Sequence, residues 1–232
     1  MTYVISDLHG RADKYNAMLD KIAFSDGDTL YVLGDVIDRN YGGVSILLDM
    51  MIRPNVVPIL GNHEFLALPT LRRMALELSG ASPPQKLYII ENTPEYRLWM
   101  ENGGAATVME FRPTTPDEKR RIVDYIAGFR AYAEIEVGGR RYHLSHTLPY
   151  FDPAVPIHDV SLHDFVWGEP DYDTRYESDV TFVTGHTPTS LIDPSSLGRI
   201  WRGNGHIAID CGAAFGCRLG CVCLENGREY YV

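Results

Sequence analysis

Apolar and polar positions change period several times along the chain, and each change marks an element. Thr2 to Ser6 is a short apolar run of strand length. Tyr15, Met18, Leu19 and Ile22 then fall at the i, i+3, i+4, i+7 spacing of one helix face. Thr29 to Leu33 reads as a second strand, Val44, Leu47, Leu48 and Met51 as a second helical stripe, and Asn55 to Leu60 as a third strand before Gly61. Strand, helix, strand, helix, strand implies parallel strands joined by crossover helices.

The middle, from Phe65 to Phe129, is expected to be mostly helical, with breaks at Pro83, Pro84, Pro113 and Pro116. Thr115-Pro116-Asp117-Glu118 has the form of a capping box with proline at the first helical position, and Ile122, Ile126 and Phe129 carry that helix on. The stripe of Leu71, Met74 and Leu78 reads as helix core. Beyond it the pattern turns to strands. Ala131 to Val137, the turn Gly138-Gly139 and Arg140 to Ser145 read as a hairpin. Val180 to Val183, His206 to Asp210 and two strands around Asn226-Gly227 supply the remaining sheet.

With 232 residues, 45% of them hydrophobic, the chain can bury a sizeable core, and no repeat or linker divides it, so one domain over 1–232 is expected. A net charge of -10 argues against a surface that tracks nucleic-acid phosphates or an anionic bilayer. Neither nucleic acid nor membrane is expected as a partner. Met1 to Ser6 runs into the first strand without a basic leader, which reads as a soluble, cytoplasmic protein and, by default, a monomer. Cys211, Cys217, Cys221 and Cys223 lack paired CxxC spacing and read as reduced, small core residues.

The polar residues are concentrated just after strands. Asp7-Leu8-His9-Gly10 follows the first, Gly34 to Asn40 the second, and Gly61-Asn62-His63-Glu64 the third; His146 follows the hairpin, and Gly185-His186-Thr187-Pro188 a later strand. Each alone has a structural explanation, as turn chemistry for Asp beside Gly or as a hydrogen-bonded histidine. Together, loops at the carboxyl ends of strands converge on one site. Five loops offering oxygen and imidazole without thiolate suit manganese, iron or zinc.

The set DLHG, GDVIDRN, GNHE, a lone late histidine and GHTP resembles the calcineurin-like metallophosphoesterases, in particular the serine/threonine protein phosphatase family with its bacterial and phage members. The resemblance runs from Asp7 to His186, and Ile209-Asp210-Cys211-Gly212-Ala213 looks like the family's closing strand. It implies an α/β (α+β) fold, a β-sandwich flanked by helices on both sides. It further implies two divalent ions, manganese expected and iron or zinc as alternatives. Asp7, His9 and Asp35 would hold one, and Asp35, Asn62, His146 and His186 the other, with Asp35 bridging. A hydroxide between the ions would attack in line, His63 would be the general acid oriented by Asp38, and Arg39 would hold the phosphate.

Ser6 and Asn40 depart from the family pattern at positions that often carry glycine. A second phosphate-binding arginine is absent from Val166-Trp167-Gly168-Glu169-Pro170, and Arg175 is the candidate to replace it. The substrate expected from the resemblance is a phosphorylated protein or a small phosphoester, hydrolysed as a phosphomonoester. Symmetrical dinucleoside-tetraphosphate hydrolases are the alternative, but they resemble GNHD where this chain has Glu64 and lack an acid at Asp38. Pro188 stands where phosphodiesterase and nuclease members carry a further histidine. A non-catalytic scaffold fits poorly with retained Asp38 and His63. His143, His158, His163 and His206 have no partner motif and read as structural.

Overall fold

The computed structural model describes residues 1–76 and 91–232. The expected breaks at Pro83 and Pro84 and the Leu78 end of the helical stripe lie outside the described residues. Among the described residues the elements form two five-stranded mixed sheets and eight α-helices.

In the first sheet, β1 (Thr2–Ile5), β2 (Thr29–Leu33) and β3 (Val56–Ile59) are parallel, with Thr2 opposite Thr29 and Leu30 opposite Val56. The crossovers are α1 (Ala12–Lys21) and α2 (Gly43–Met51), as the apolar periods predict. In α2 the buried set is Val44, Ile46, Leu47 and Met50, whereas Leu48 and Met51 are only partly buried. Ile-Leu-Leu in the middle of a helix defines no single stripe, so packing chose a neighbouring face.

Among the described residues, four further helices follow β3: α3 (Asn62–Ala75), α4 (Pro94–Glu101), α5 (Ala105–Phe111) and α6 (Pro116–Ala127). The capping box at Thr115 forms as expected, its hydroxyl accepting from Glu118 N at 3.2 Å while Glu118 accepts from Thr115 N at 2.8 Å.

The second sheet begins with the expected hairpin, β4 (Tyr132–Val137) and β5 (Arg140–Ser145). A short helix α7 (Leu162–Trp167) precedes β6 (Val180–Thr184), which lies parallel to β5. A one-turn helix α8 (Thr189–Ile192) follows, then β7 (Trp201–Gly203) and β8 (His206–Ala208), paired across Asn204-Gly205. β7 was not expected; three residues, Trp-Arg-Gly, are too few to show an alternating pattern. β9 (Gly220–Cys223) and β10 (Glu229–Tyr231) return to the first sheet beside β1.

Strand alternation sorts the cores. Val4, Leu33, Ile59 and Val222 of the first sheet meet Leu144, Val183 and Ile207 of the second between the sheets. Ile5, Leu30 and Val32 point the other way, onto Met18, Leu47, Leu71 and Ile122 of the helices. The outer face of the second sheet carries Phe182, packed with Phe165 and Leu148. Cys211, Cys221 and Cys223 are buried free thiols in these cores, Cys217 is half-buried, and no cysteine joins a potential metal cluster among the described residues. None of the helices among the described residues is long and apolar enough to cross a membrane.

Candidate metal centre and catalytic site

The loops after β1, β2, β3, β5 and β6 meet at one end of the sandwich and are zipped together by their own backbone. His9 N donates to Asp35 O and Gly10 N to Val36 O, both at 2.8 Å, and Gly185 N donates to His146 O at 2.9 Å. The approach leaves no room for side chains. A Cβ on Gly10 would lie 2.1 Å from Asn40 O, and one on Gly185 would lie 2.2 Å from an Asp7 carboxylate oxygen.

Among the described residues, eight that are not glycine adopt positive φ, and six of them are Asp7, His9, Asp35, Asp38, Arg39 and His186. Such conformations cost on the order of 1 kcal/mol or more each and persist where surrounding contacts impose them. Here they turn each chain back at the end of its strand and aim its side chain at a common centre.

At that centre Asp35 Oδ2 lies 3.4 Å from His9 Nε2, and Asp35 Oδ1 3.5 Å from His146 Nε2. Asp7 Oδ1 is 4.0 Å from His9 Nε2. Asn62 begins α3, and its side-chain oxygen sits 2.9 Å from His146 Nε2 and 3.2 Å from His186 Nδ1. Nearly all of these groups are buried.

The donor chemistry is that of a cation site. His9 Nδ1 is engaged by Ile37 O at 3.1 Å and His146 Nδ1 by Leu33 O at 2.7 Å, so each donates there and turns a lone pair inward from Nε2. Burial lowers His9 to about 3 and His186 to about 4, keeping both neutral. Burial pulls Asp35 up, but the imidazoles around it, His146 foremost, bring it below the ordinary carboxylate range. Burial raises Asp7 to about 6. The Asn62 oxygen faces only acceptors, Asp35 and the two imidazole nitrogens. Lone pairs without protons to share fit metal ions. Two groups of ligand atoms, His9 with Asp35 and His63, and Asp35 with His146 and His186, each lie within 4.8 Å of one another, and Asp35 is common to both.

His63 borders the first group, with Nε2 3.8 Å from Asp35 Oδ2, but its partners differ from those of the other histidines. Its Nδ1 is 2.8 Å from Asp38 Oδ2. Burial opposes protonation, yet Asp35 and Asp38 together raise His63 to about 8. Its Nδ1 faces a carboxylate, where those of His9 and His146 face backbone carbonyls. Asp38 is itself fixed on every side: Trp99 Nε1 donates to Oδ2 at 2.7 Å, Thr107 Oγ1 to Oδ1 at 2.5 Å, and Asp38 N to Thr107 Oγ1 at 2.9 Å. Arg39 Nη2 lies 3.2 Å from His63 Nε2, so the arginine and the histidine converge on one spot.

Glu64 is wholly buried and accepts from Asp35 N at 2.8 Å, Val36 N at 2.9 Å, and Ile37 N and Gly61 N at 3.2 Å. It ties the second loop to the third, a reach that the shorter aspartate lacks by one methylene. Asp210 is also buried, accepts from Gly212 N at 2.9 Å, and is raised by burial and by Asp7. Sequence reasoning assigned no role to Trp99, Thr107 or Asp210. Trp99 and Thr107 stand 61 and 69 residues from Asp38 and carry no local signal. Asp210 did carry one, an acid between the apolar Ile209 and Cys211.

Arg175 does not reach this centre. Its guanidinium is held by Glu177 O at 3.0 Å and Ser178 O at 2.6 Å, just before β6 begins, whereas His186 follows that strand's far end. Val166 and Trp167 end helix α7. Beside His186 lies a cleft of about 380 Å³ lined by Glu169, Pro170, Tyr172, Pro188 and Leu191, which offers an acid where a second arginine was sought. Of the other histidines, His206 Nε2 pairs with Thr174 O at 2.9 Å, and His143 is stacked on Tyr132, with ring centroids 5.0 Å apart.

A family model described as calcineurin-like phosphoesterase matches residues 2–212. The symmetrical bis(5'-nucleosyl)-tetraphosphatase of Haemophilus ducreyi is 29% identical over 96 residues, which are 40% of this chain and 34% of that protein. The match thus spans about a third of the relative's length. A crystal structure provisionally assigned as a diadenosine tetraphosphatase superposes with a TM-score of 0.67 at 15% identity, covering 100% of this chain and 92% of the other. A serine/threonine phosphatase from Saccharomyces cerevisiae superposes with a TM-score of 0.62 at 12% identity, covering 100% of this chain and 78% of the other. At such identities the superpositions show the fold alone.

Proposed function

The chain belongs to the calcineurin-like phosphoesterases, and from that premise we propose that it hydrolyses alkyl phosphomonoesters, foremost phosphoserine and phosphothreonine in proteins. The observation that carries this reading is the Asp38–His63 pair, buried and 2.8 Å apart, its carboxylate braced by Trp99 and Thr107. An alkoxide is a poor leaving group and needs a proton as it departs. A pair of this kind exists to deliver one.

Asp7, His9 and Asp35 fit one divalent cation, and Asp35, Asn62, His146 and His186 a second; manganese suits their oxygen and imidazole donors. Bound there, the cations supply a nucleophile from water at neutral pH and neutralise charge on the phosphoryl oxygens. The chain's own residues do the rest. Arg39 offers paired N–H donors to two phosphate oxygens, which fixes the ester for in-line displacement. His63 Nε2, beside Arg39, faces the leaving oxygen. Asp38 holds the ring by Nδ1 and stabilises its charged form until the proton leaves.

The tetraphosphatase relatives favour a second reading, symmetrical cleavage of a dinucleoside tetraphosphate. That cleavage expels a nucleoside diphosphate, a good leaving group that leaves little for the Asp38–His63 pair to do. Manganese-loaded protein assayed on a phosphoserine peptide and on diadenosine tetraphosphate separates the two. Higher kcat/KM on the peptide supports the monoesterase reading; a clear preference for the dinucleotide replaces it with the second.

A further inference from the structure

Arg39 is held in an unusual way for an arginine among buried carboxylates. Among the described residues no carboxylate forms an ion pair with its guanidinium, whose Nη2 lies 3.2 Å from His63 Nε2. The guanidinium carbon instead lies 5.1 Å from the centroid of the Phe215 ring. The backbone is fixed from the opposite quarter, where Arg39 N donates to Gly103 O at 3.0 Å.

Phe215 is 67% exposed, so burial in a core does not account for its place. The turn that carries it is tied to the catalytic loops at two points and braced within its own segment at a third. Arg11 Nη1, from the loop after β1, donates to Ala213 O at 3.2 Å. Asn40 Nδ2, adjacent to Arg39, donates to Ala214 O at 3.3 Å. Gly212 N donates to the buried Asp210 at 2.9 Å. These ties hold an exposed aromatic ring against the arginine.

We propose that Phe215 is a positioning residue for Arg39, an aromatic rest that fixes the guanidinium by its face and leaves its N–H edge open to phosphate oxygens. The inference rests on the reading of Arg39 as the phosphate-binding arginine. A carboxylate in the same place would orient Arg39 equally well but would occupy the donors that phosphate needs; a ring face attracts the cation without accepting from its edge. With Arg175 held elsewhere, the described residues bring only this arginine to His63, so its orientation bears on phosphate affinity directly. Stacking of this kind at an exposed site corresponds to about a 2- to 5-fold change in affinity.

The test uses manganese-loaded full chain and inorganic phosphate as a competitive inhibitor of nitrophenyl phosphate hydrolysis. Because Phe215 is exposed, its replacement leaves the core intact. Phe215→Leu keeps bulk and removes the ring; it is expected to raise both the phosphate inhibition constant and KM by about 2- to 5-fold, with kcat within about twofold of the parent. Phe215→Tyr restores both. In an Arg39→Ala background, Phe215→Leu adds nothing further. Parental phosphate affinity in Phe215→Leu, or an equal loss with and without Arg39, overturns the inference alone. Parental phosphate affinity in Arg39→Ala overturns the role of Arg39 itself, and this inference with it.

Discussion

Asp38→Asn isolates what a negative charge behind His63 is worth. The new amide must place its NH2 group on one of two sides. On the Oδ2 side it would face the Trp99 N–H at 2.7 Å and the His63 Nδ1 donor at 2.8 Å, donor against donor. On the Oδ1 side it faces Thr107 Oγ1, which already accepts from residue 38 N and has a second lone pair to offer. The amide therefore turns its oxygen to His63 and preserves the tautomer. What is lost is charge. A hydrogen bond to a charged group contributes about 1.5–3 kcal/mol and a neutral one about 0.5–1.5, so the pair weakens by roughly 1 to 1.5 kcal/mol. If that difference is expressed when the proton is delivered, kcat on a phosphoserine peptide falls about 5- to 12-fold. His63→Ala, which deletes the acid, is expected to lose about 10² to 10⁴ on the same substrate. On nitrophenyl phosphate, whose leaving group departs without a proton, both losses shrink. Steady-state kinetics on the two substrates, with metal content measured alongside, give the answer. Equal losses on both substrates at full metal content would refute the acid assignment and make His63 a positioning group.

The other expectations are independent of that pair. Burial lowers His143 to about 4, so between that value and its ordinary 6.5 the unfolded chain takes up the proton more readily; the stability is present above pH 6.5 and is lost as pH falls toward 4. His143→Phe should therefore lose less stability than the parent between pH 7 and 4.5 in urea unfolding, by on the order of 2 kcal/mol, and identical losses would contradict the sign. Removal of metal with EDTA should abolish activity and leave far-UV circular dichroism intact, because no cysteine joins a metal cluster among the described residues; cooperative unfolding on chelation would point to a structural metal. Arg175→Ala should keep parental KM and kcat, since its guanidinium is spent on Glu177 O and Ser178 O; a rise in KM would return it to the phosphate site.

What could be read from the sequence was local, and what could not was distant. Asp7, His9, Asp35, Asn62, His146 and His186 each follow an apolar strand by one to four residues, and parallel topology forces such loops to one end. Their convergence was therefore predictable before any coordinates. The same logic placed α1, α2 and the β4–β5 hairpin. It failed for Arg175, which stands close in sequence to Trp167 and Gly168 although the chain carries it to the opposite end of β6. It gave no hint of Trp99 or Thr107, because a brace needs only to arrive in space, and helices α4 and α5 deliver it from far along the chain. Phe215 escaped notice for a related reason: an exposed aromatic in a glycine-rich turn has no periodicity to betray it.

We propose that one aspartate, Asp35, joins two metal sites made by five loops. Elemental analysis of the protein equilibrated with manganese and freed of excess tests it most directly. Two equivalents per chain are expected in the parent and fewer than one in Asp35→Asn, with activity lost in step. One equivalent in the parent, or two retained in Asp35→Asn with near-normal turnover, would contradict it.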